Sequence, residues 1–390
     1  MASYQTSLRP DGEVLWLHAT TQERYLALCD AGHRLKSMRP DLMVIATWED
    51  DMGTVPPVEG CDLAHGVLPP DQSAAAKRFL NHWRPDLCLW AGGGLRRNML
   101  RQMREMQISA LLVDILDDEM PERKMRWLPD QRYRMFSGFE QILTPSPTVR
   151  AQLIKSGIHS NRVKRVSSLG PATMPPGCNA DELGQMQKDL GGRPVWLAAQ
   201  AQLEEVPFML EGHRGALRLL HRLLLILTLD SEDSQQRAKS LIQASGLQCA
   251  DWDSGELPDD YTQVLVAGPE ELGLWYRLAP VTLMGGSLFA HLPGQSPLDA
   301  LALGSVALHG PGTGLYKSSY HHLDQAGATA PVRNSKELSR QIIQLSSPDK
   351  AAEMALAGWK AVTAGAEMTD QLIELVQDIL DMREESHAAP

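Results

Sequence analysis

Residues 283–299 read Leu-Met-Gly-Gly-Ser-Leu-Phe-Ala-His-Leu-Pro-Gly-Gln-Ser-Pro-Leu-Asp, and this stretch decides the fold. The apolar run 281–284 predicts a short buried strand. Gly285, Gly286 and Ser287 interrupt it, and a helix is expected over 297–303. Strand, glycine turn and helix start make the unit from which α/β sheets are built. Glycines allow a ligand close to the backbone, and the N–H groups opening a helix favour an anion such as phosphate. Asp299, in the first turn of the expected helix, is placed for a ribose hydroxyl. An ordinary strand-to-helix connection has the same appearance, and a double glycine does not decide between the two.

Outward from this stretch the same grammar repeats. Residues 195–199, 223–229, 263–267 and 306–309 read as strands, with helices over 204–220, 270–278 and 335–345. In the first half, 14–17, 42–47, 87–90, 108–115 and 139–143 read as strands, and 23–35 and 95–106 as helices. Such alternation calls for parallel sheets covered by helices on both faces. The Gly- and Pro-rich segment 170–177 divides the chain into residues 1–172 and 173–365. A final helix, about 349–383, is expected to break near Gly358 and Gly365, its last part, 366–390, crossing back to the first domain. Two such domains predict a cleft between the carboxyl ends of their sheets, where ligands of this fold class bind.

The chain has 390 residues, 43% of them hydrophobic and 22% charged, which suits two domains with proper cores and excludes a largely disordered protein. No apolar run approaches the roughly 18 residues needed to span a bilayer. A formal charge of −11 argues against nucleic acid as a partner. Cys29, Cys61, Cys88, Cys178 and Cys249 are scattered and odd in number, so reduced thiols in a cytoplasmic protein are expected, and neither a disulfide framework nor a zinc site. His321 and His322 read as a surface pair, with Asp324 as the one acid nearby and no recognised ligand spacing.

Several ordered segments resemble the 3-deoxy-D-manno-octulosonic acid (Kdo) transferases, which move Kdo from CMP-Kdo onto the lipid A precursor. Pro194-Val-Trp-Leu-Ala-Ala199 followed by Glu204-Glu205 is similar to the family's strand and its Ser-Thr-His-x-Gly-Glu-Glu turn. Glu271-Leu-Gly-Leu-Trp-Tyr-Arg-Leu-Ala-Pro280 resembles its Glu-Leu-Gly-Leu-Phe-Tyr-Arg-Leu-Ala-Pro helix nearly residue for residue. Gly285-Gly-Ser-Leu288, Gly294-Gln-Ser-Pro-Leu-Asp299 and His309-Gly-Pro311 complete the match over about 190–345. The resemblance implies a GT-B glycosyltransferase of two Rossmann-like domains facing each other across a cleft. It implies an inverting transfer from a CMP-activated acidic sugar to a lipid A-type acceptor, with no metal or other cofactor. The family usually opens with an apolar membrane anchor; none precedes Trp16, so a divergent member without one is expected, cytoplasmic or peripheral on the cytoplasmic face of the inner membrane.

The first half departs further from the family. Trp16-Leu-His-Ala-Thr-Thr-Gln-Glu23 stands where the family has Trp-x-His-Ala-x-Ser-x-Gly-Glu, so Glu23 falls one position early and Arg24 occupies the position of the presumed base. Gly93-Gly-Leu-Arg-Arg-Asn98 stands for Thr-Glu-Leu-Trp-Pro-Asn, which puts Gly94 in place of a glutamate. On the donor side Gln200, Ala201 and Gln202 replace Ser, Thr and His, and Leu229 and Asp230 replace an Arg-His pair. The transfer needs a base for the acceptor hydroxyl and fixed donors for the leaving phosphate. Glu23 is the candidate base, or an ordinary acid at a helix start. The amides of Gly285, Gly286 and Ser287 are candidates for the phosphate, and Gln295, Ser296 and Asp299 for the nucleotide. Arg96, Arg97, Arg101 and Arg104 alternate with Leu95, Met99, Leu100 and Met103 at helical spacing. That face either binds the phosphates of an anionic lipid acceptor or is a solvated arginine face over a buried one. Arg123, Lys124, Arg126, Arg132 and Arg134, among Trp127 and Tyr133, add a second basic cluster that would strengthen the lipid reading if it converged with the first.

Overall fold

The computed structural model describes residues 12–49, 64–121, 131–170 and 175–388, together with Arg9 and Met52. Cys61, Arg123, Lys124, Arg126 and Trp127 lie outside the described residues. The chain forms two compact units, residues 1–172 with 364–390, and residues 173–363.

The described strands of the first unit are β1 (Val14–Ala19), β2 (Met43–Trp48), β3 (Ala64–Val67), β4 (Leu87–Ala91), β5 (Ser109–Val113), β6 (Gln141–Thr144) and β7 (Val163–Arg165). They pair in the order β3-β2-β1-β4-β5-β6-β7, every pairing parallel. Helices α1 (Gln22–Met38), α2 (Ser73–Trp83), α3 (Arg97–Glu105), α4 (Gln131–Phe136) and α5 (Pro147–Lys155) connect them. β1 is central and buried along its whole length, as its unbroken Val-Leu-Trp-Leu-His-Ala run requires of a strand covered on both faces. Its side chains alternate between two cores. Val14 and Trp16 join Phe79, Trp83, Trp90 and Met99 on one face, while Leu15, Leu17 and Ala19 join Leu28, Leu35 and the end of the last helix on the other.

The second unit contains α6 (Ala180–Leu190), β8 (Val195–Ala201), α7 (Val206–Leu217), β9 (Leu224–Leu229), α8 (Glu232–Ala244), β10 (Cys249–Asp251), β11 (Val264–Ala267), α9 (Leu272–Leu278), β12 (Val281–Met284), α10 (Leu298–Ala302), β13 (Val306–His309), α11 (Lys317–Gln325), β14 (Thr329–Pro331) and α12 (Ser335–Leu345). Its parallel sheet runs β10-β11-β9-β8-β12-β13-β14. In each sheet the chain reverses its direction of winding once: beside β1, between β1 and β4, and beside β8, between β8 and β12. Those are the places where open α/β sheets bind ligands, at the carboxyl ends of the strands.

One expectation is overturned. Instead of breaking near Gly358 and Gly365, the last helix, α13, is continuous from Pro348 to Ala388. Gly358 serves close packing, whereas Gly365 leaves room for a side-chain methyl. A Cβ on Gly358 would come within 2.7 Å of Leu301 Cδ2, and Gly365 lies against Gly170, whose Cα is 3.5 Å from where a Cβ would stand. Beyond Gly365 the side chains of Met368, Leu372, Ile373, Val376, Ile379 and Leu380 complete the first unit's second core. Because a methyl group at Gly365 meets only ordinary contact, Gly365→Ala is expected to leave stability unchanged or raise it by up to about 1 kcal/mol, the helix preference of alanine over glycine. Chemical denaturation measures it, and a clear loss would mean that the helix is not continuous there.

Edge strands β3, β7, β10 and β14 carry no strong sequence signal, being three or four residues long. Cys29 and Cys88 are buried, Cys178 and Cys249 half-buried, all four as free thiols. No described helix is long and apolar enough to cross a membrane.

Candidate functional site

In the second unit, the carboxyl ends of β8 and β12 are joined by one side chain. β8 leaves the sheet with Gln200 in left-handed conformation (φ 51°), and a single 3-10 turn, Leu203–Glu205, leads into α7. Glu205 is fully buried, and its carboxylate accepts the N–H groups of Gln202 (2.9 Å), Gly286 (2.7 Å) and Leu288 (2.8 Å). Burial raises the pKa of this carboxyl, and the backbone N–H groups around it pull the other way.

The amides expected to cradle a phosphate are therefore not free. Gly285 N–H pairs with Ala199 O at 2.7 Å, and Gly286 N–H is taken by Glu205. Ser287 is fully buried; its hydroxyl donates to Met284 O (2.5 Å) and accepts Gly310 N–H (3.0 Å). The protein itself supplies the anion that the glycine turn invites. The turn is then locked against the loop after β13: Gly312 N–H donates to Ser287 O (2.7 Å), and a Cβ on Gly310 would fall 2.2 Å from Ser287 O. Gln295, Ser296 and Asp299 follow, half-buried. Tyr320 holds the backbone there through its hydroxyl on Gln295 O (2.9 Å), and burial raises the pKa of Asp299 in the first turn of α10. Asp324 binds His309 Nε2 (3.1 Å) and the Thr329 hydroxyl (2.5 Å). Among the described residues no three His, Cys, Asp or Glu side chains converge for a metal ion.

In the first unit, β1 ends beside β4. Thr21 caps α1 with its side chain, and Glu23 lies half-buried in that helix's first turn. The next residue, Arg24, turns inward. Its guanidinium reaches Asp114 Oδ2 (2.8 Å) and Asp114 O (2.6 Å), Glu119 Oε1 (2.5 Å) and Oε2 (2.9 Å), and Thr20 Oγ1 (3.0 Å). Asp114 also accepts the Ser168 hydroxyl (2.6 Å) and Leu169 N–H (3.1 Å). Burial works against the Arg24 charge, but the Asp114 and Glu119 carboxylates outweigh it and raise the pKa. Gly92 is open to this side chain for a steric reason: at φ 94° a Cβ there would fall 2.3 Å from Arg24 Nη1.

A second cluster forms at the end of β2. Glu49 Oε1 stands 3.3 Å from His18 Nε2 and 3.2 Å from Arg96 Nε, and Arg96 Nη2 binds Oε2. Arg96 Nη1 also donates to Pro69 O (2.6 Å). Burial pushes the Glu49 carboxyl up, but His18 and Arg96 override it and hold it at about 2; burial in turn lowers the pKa of His18.

The arginine helix has one buried and one polar face. Met99, Leu100, Gln102 and Met103 are the buried face of α3. Arg96 is engaged by Glu49, Arg101 donates to Ser73 Oγ (3.0 Å) and pairs with Glu105 at 3.8 Å, and Arg104 binds the carbonyl of Arg134. Arg97 and Arg101 are exposed. Arg132, of the second basic cluster, donates to Pro121 O (2.9 Å).

Glu49, Asp114 and Glu119 were not singled out by the sequence reading. One signal was there: Glu49 and Asp114 are the first residues after strands β2 and β5, and in a parallel sheet such positions lie at the ligand-binding edge.

Residues 1–169 match the family model described as 3-deoxy-D-manno-octulosonic-acid transferase (kdotransferase). The 3-deoxy-D-manno-octulosonic acid transferase of Haemophilus influenzae is 22% identical, over 97% of this chain and 90% of that protein. The transferase of the same name from Bordetella pertussis is 27% identical, over 82% of this chain and 75% of its own length. Among solved structures, a glycosyltransferase from Rickettsia africae superposes with a TM-score of 0.50 at 11% identity, covering 95% of this chain and 99% of that one. Similarity to Kdo transferases thus runs through most of the chain, and the two parallel-sheet units are those of a GT-B fold.

Proposed function

We propose that this relative of the Kdo transferases is an inverting glycosyltransferase that moves Kdo, or a related acidic sugar, from a CMP-activated donor to a lipid A-type acceptor. Homology to named Kdo transferases along most of the chain is the observation that carries this reading. In it, the second unit takes the nucleotide sugar at the switch point between β8 and β12, with the Gly285-Gly286-Ser287 turn as a rigid wall and Gln295, Ser296 and Asp299 as the side chains for the cytidine and ribose. The first unit takes the acceptor beside β1 and β4, with Glu23 drawing the proton from the attacking hydroxyl, Arg97 and Arg101 meeting acceptor phosphates, and peripheral contact at the cytoplasmic face of the inner membrane. No metal or other cofactor enters the scheme.

A second reading is favoured by a specific observation: the residue at the family's base position, Arg24, is locked between two carboxylates and cannot accept a proton. A homologue that binds nucleotide or lipid without transfer would fit that arrangement. Incubation with CMP-Kdo and lipid A precursor separates the two. CMP release is expected from the native protein, with Glu23→Ala reducing it about 100-fold or more, as loss of a positioned base does. Undiminished release would remove Glu23 from the mechanism; no release from the native protein, with cytidine nucleotide still bound, would establish the binding-only reading.

A further inference from the structure

The geometry points to Glu49 as the hydroxyl-binding acid of the first unit: a fixed carboxylate that receives the hydroxyl groups of a sugar-type acceptor, with His18 and Arg96 as its supports. The inference rests on the proposed reading that this unit holds the acceptor. Its grounds are in the arrangement itself.

Glu49 is the first residue beyond β2, at the carboxyl end of the sheet and one strand away from the β1–β4 boundary where the winding reverses. Its side chain is 17% exposed, so the carboxylate is restrained without being sealed off. Two neighbours fix it: buried His18, whose other ring nitrogen is held by Thr47 Oγ1 at 3.0 Å, and Arg96, anchored in turn on Pro69 O. The glycine turn after β4, Gly92–Gly94, lies beside the carboxylate. Gly94 is exposed, and a Cβ built on it would still be 3.9 Å from Glu49 Oε1. A side chain is missing at the place where a ligand hydroxyl would approach.

The charge balance selects the ligand class. Arg96 is paired to Glu49, so this corner presents no uncompensated cation to a phosphate. What remains are carboxylate lone pairs. A carboxylate offers about four acceptor sites, and the two Arg96 hydrogen bonds use two, with His18 Nε2 3.3 Å away but making no hydrogen bond. What is left suits an O–H donor. Exchanging a paired, partly buried acid for apolar packing is often neutral or stabilising, so a preorganised acceptor is a functional reason for keeping it. The low pKa of Glu49 fits a group that stays ionised and binds hydroxyls, leaving proton removal to another residue.

The test uses the whole protein and the O-deacylated glucosamine disaccharide of the lipid A precursor, with affinity measured by calorimetry. Native protein is expected to bind it, Glu49→Gln about tenfold more weakly, as loss of one charge-assisted hydrogen bond implies. Glu49→Asp keeps the charge and the arginine partner but withdraws the carboxylate by one methylene, and is expected to fall between the two; it also covers the case in which Glu49→Gln fails to fold. In the CMP-release assay the variants should raise the KM for acceptor and leave the KM for CMP-Kdo unchanged, a split that a merely structural role would not produce. Equal disaccharide affinity in native and variant proteins, or no binding by the native protein, overturns the proposal. Native binding that is weakened in the variants, without any CMP release, supports Glu49 and sinks transfer instead.

Discussion

Replacing Glu205 by alanine is expected to cost about 3–5 kcal/mol of unfolding free energy, most of what a marginally stable unit has to lose. The carboxylate is fully buried and accepts three backbone N–H groups from two different loops, those of Gln202, Gly286 and Leu288. Each orphaned buried N–H costs about 1–3 kcal/mol, and the total is less than three times that because water can enter the space left by the side chain. Glu205→Gln keeps the shape and one acceptor oxygen but turns an NH2 group toward a donor, so roughly half the loss is expected. Guanidinium denaturation reads both. If Glu205→Ala unfolds at the native midpoint, the glycine turn is not held by this residue, and its amides become available to a ligand phosphate after all. Activity would follow stability closely in this variant, because the same bonds shape the wall of the proposed donor site.

Glu205 also illustrates how far the sequence could be read. The strand–glycine–helix grammar around Gly285 was legible because it depends on local rules: an apolar run, a residue type that tolerates φ 66° at Gly286, and a helix start. The alternation of strands and helices carried the parallel sheets and their central strands for the same reason. What satisfied the turn was not local. Glu205 lies 81 positions before Gly286, and nothing in the spacing says that an acid from the end of β8 will arrive there instead of a ligand. Arg96 shows the same limit. Its helical face was readable, but its partner Glu49 lies 47 positions away, just beyond β2. Gly358 shows the converse case, in which a correct local rule, that glycine weakens helices, was overridden by close packing against Leu301. Pairing between distant polar side chains is where single-sequence reasoning stops, and it is pairing that determines which charges a ligand can meet.

Arg24 makes that point testable with the largest electrostatic effect in the first unit. Arg24→Ala is expected to destabilise the protein by about 3–5 kcal/mol, because it strands the carboxylates of Asp114 and Glu119, whose side chains are only 6% and 20% exposed. Arg24→Lys keeps the charge but loses the two-pronged contact to Glu119 and the simultaneous reach to Asp114, and about 1–2 kcal/mol is expected. A triple variant, Arg24→Met with Asp114→Asn and Glu119→Gln, separates structure from chemistry. Removing all three charges together avoids the stranded anions, so most of the stability lost in Arg24→Ala should return. CMP release then has a clear meaning. If the triple variant is stable and still transfers, the cluster is scaffolding, and the proton goes to Glu23 in the helix turn beside it; if it is stable and inert, one of the three charged groups belongs to the reaction. Native-like denaturation of Arg24→Ala at neutral pH would show that the guanidinium does not sit between those two acids.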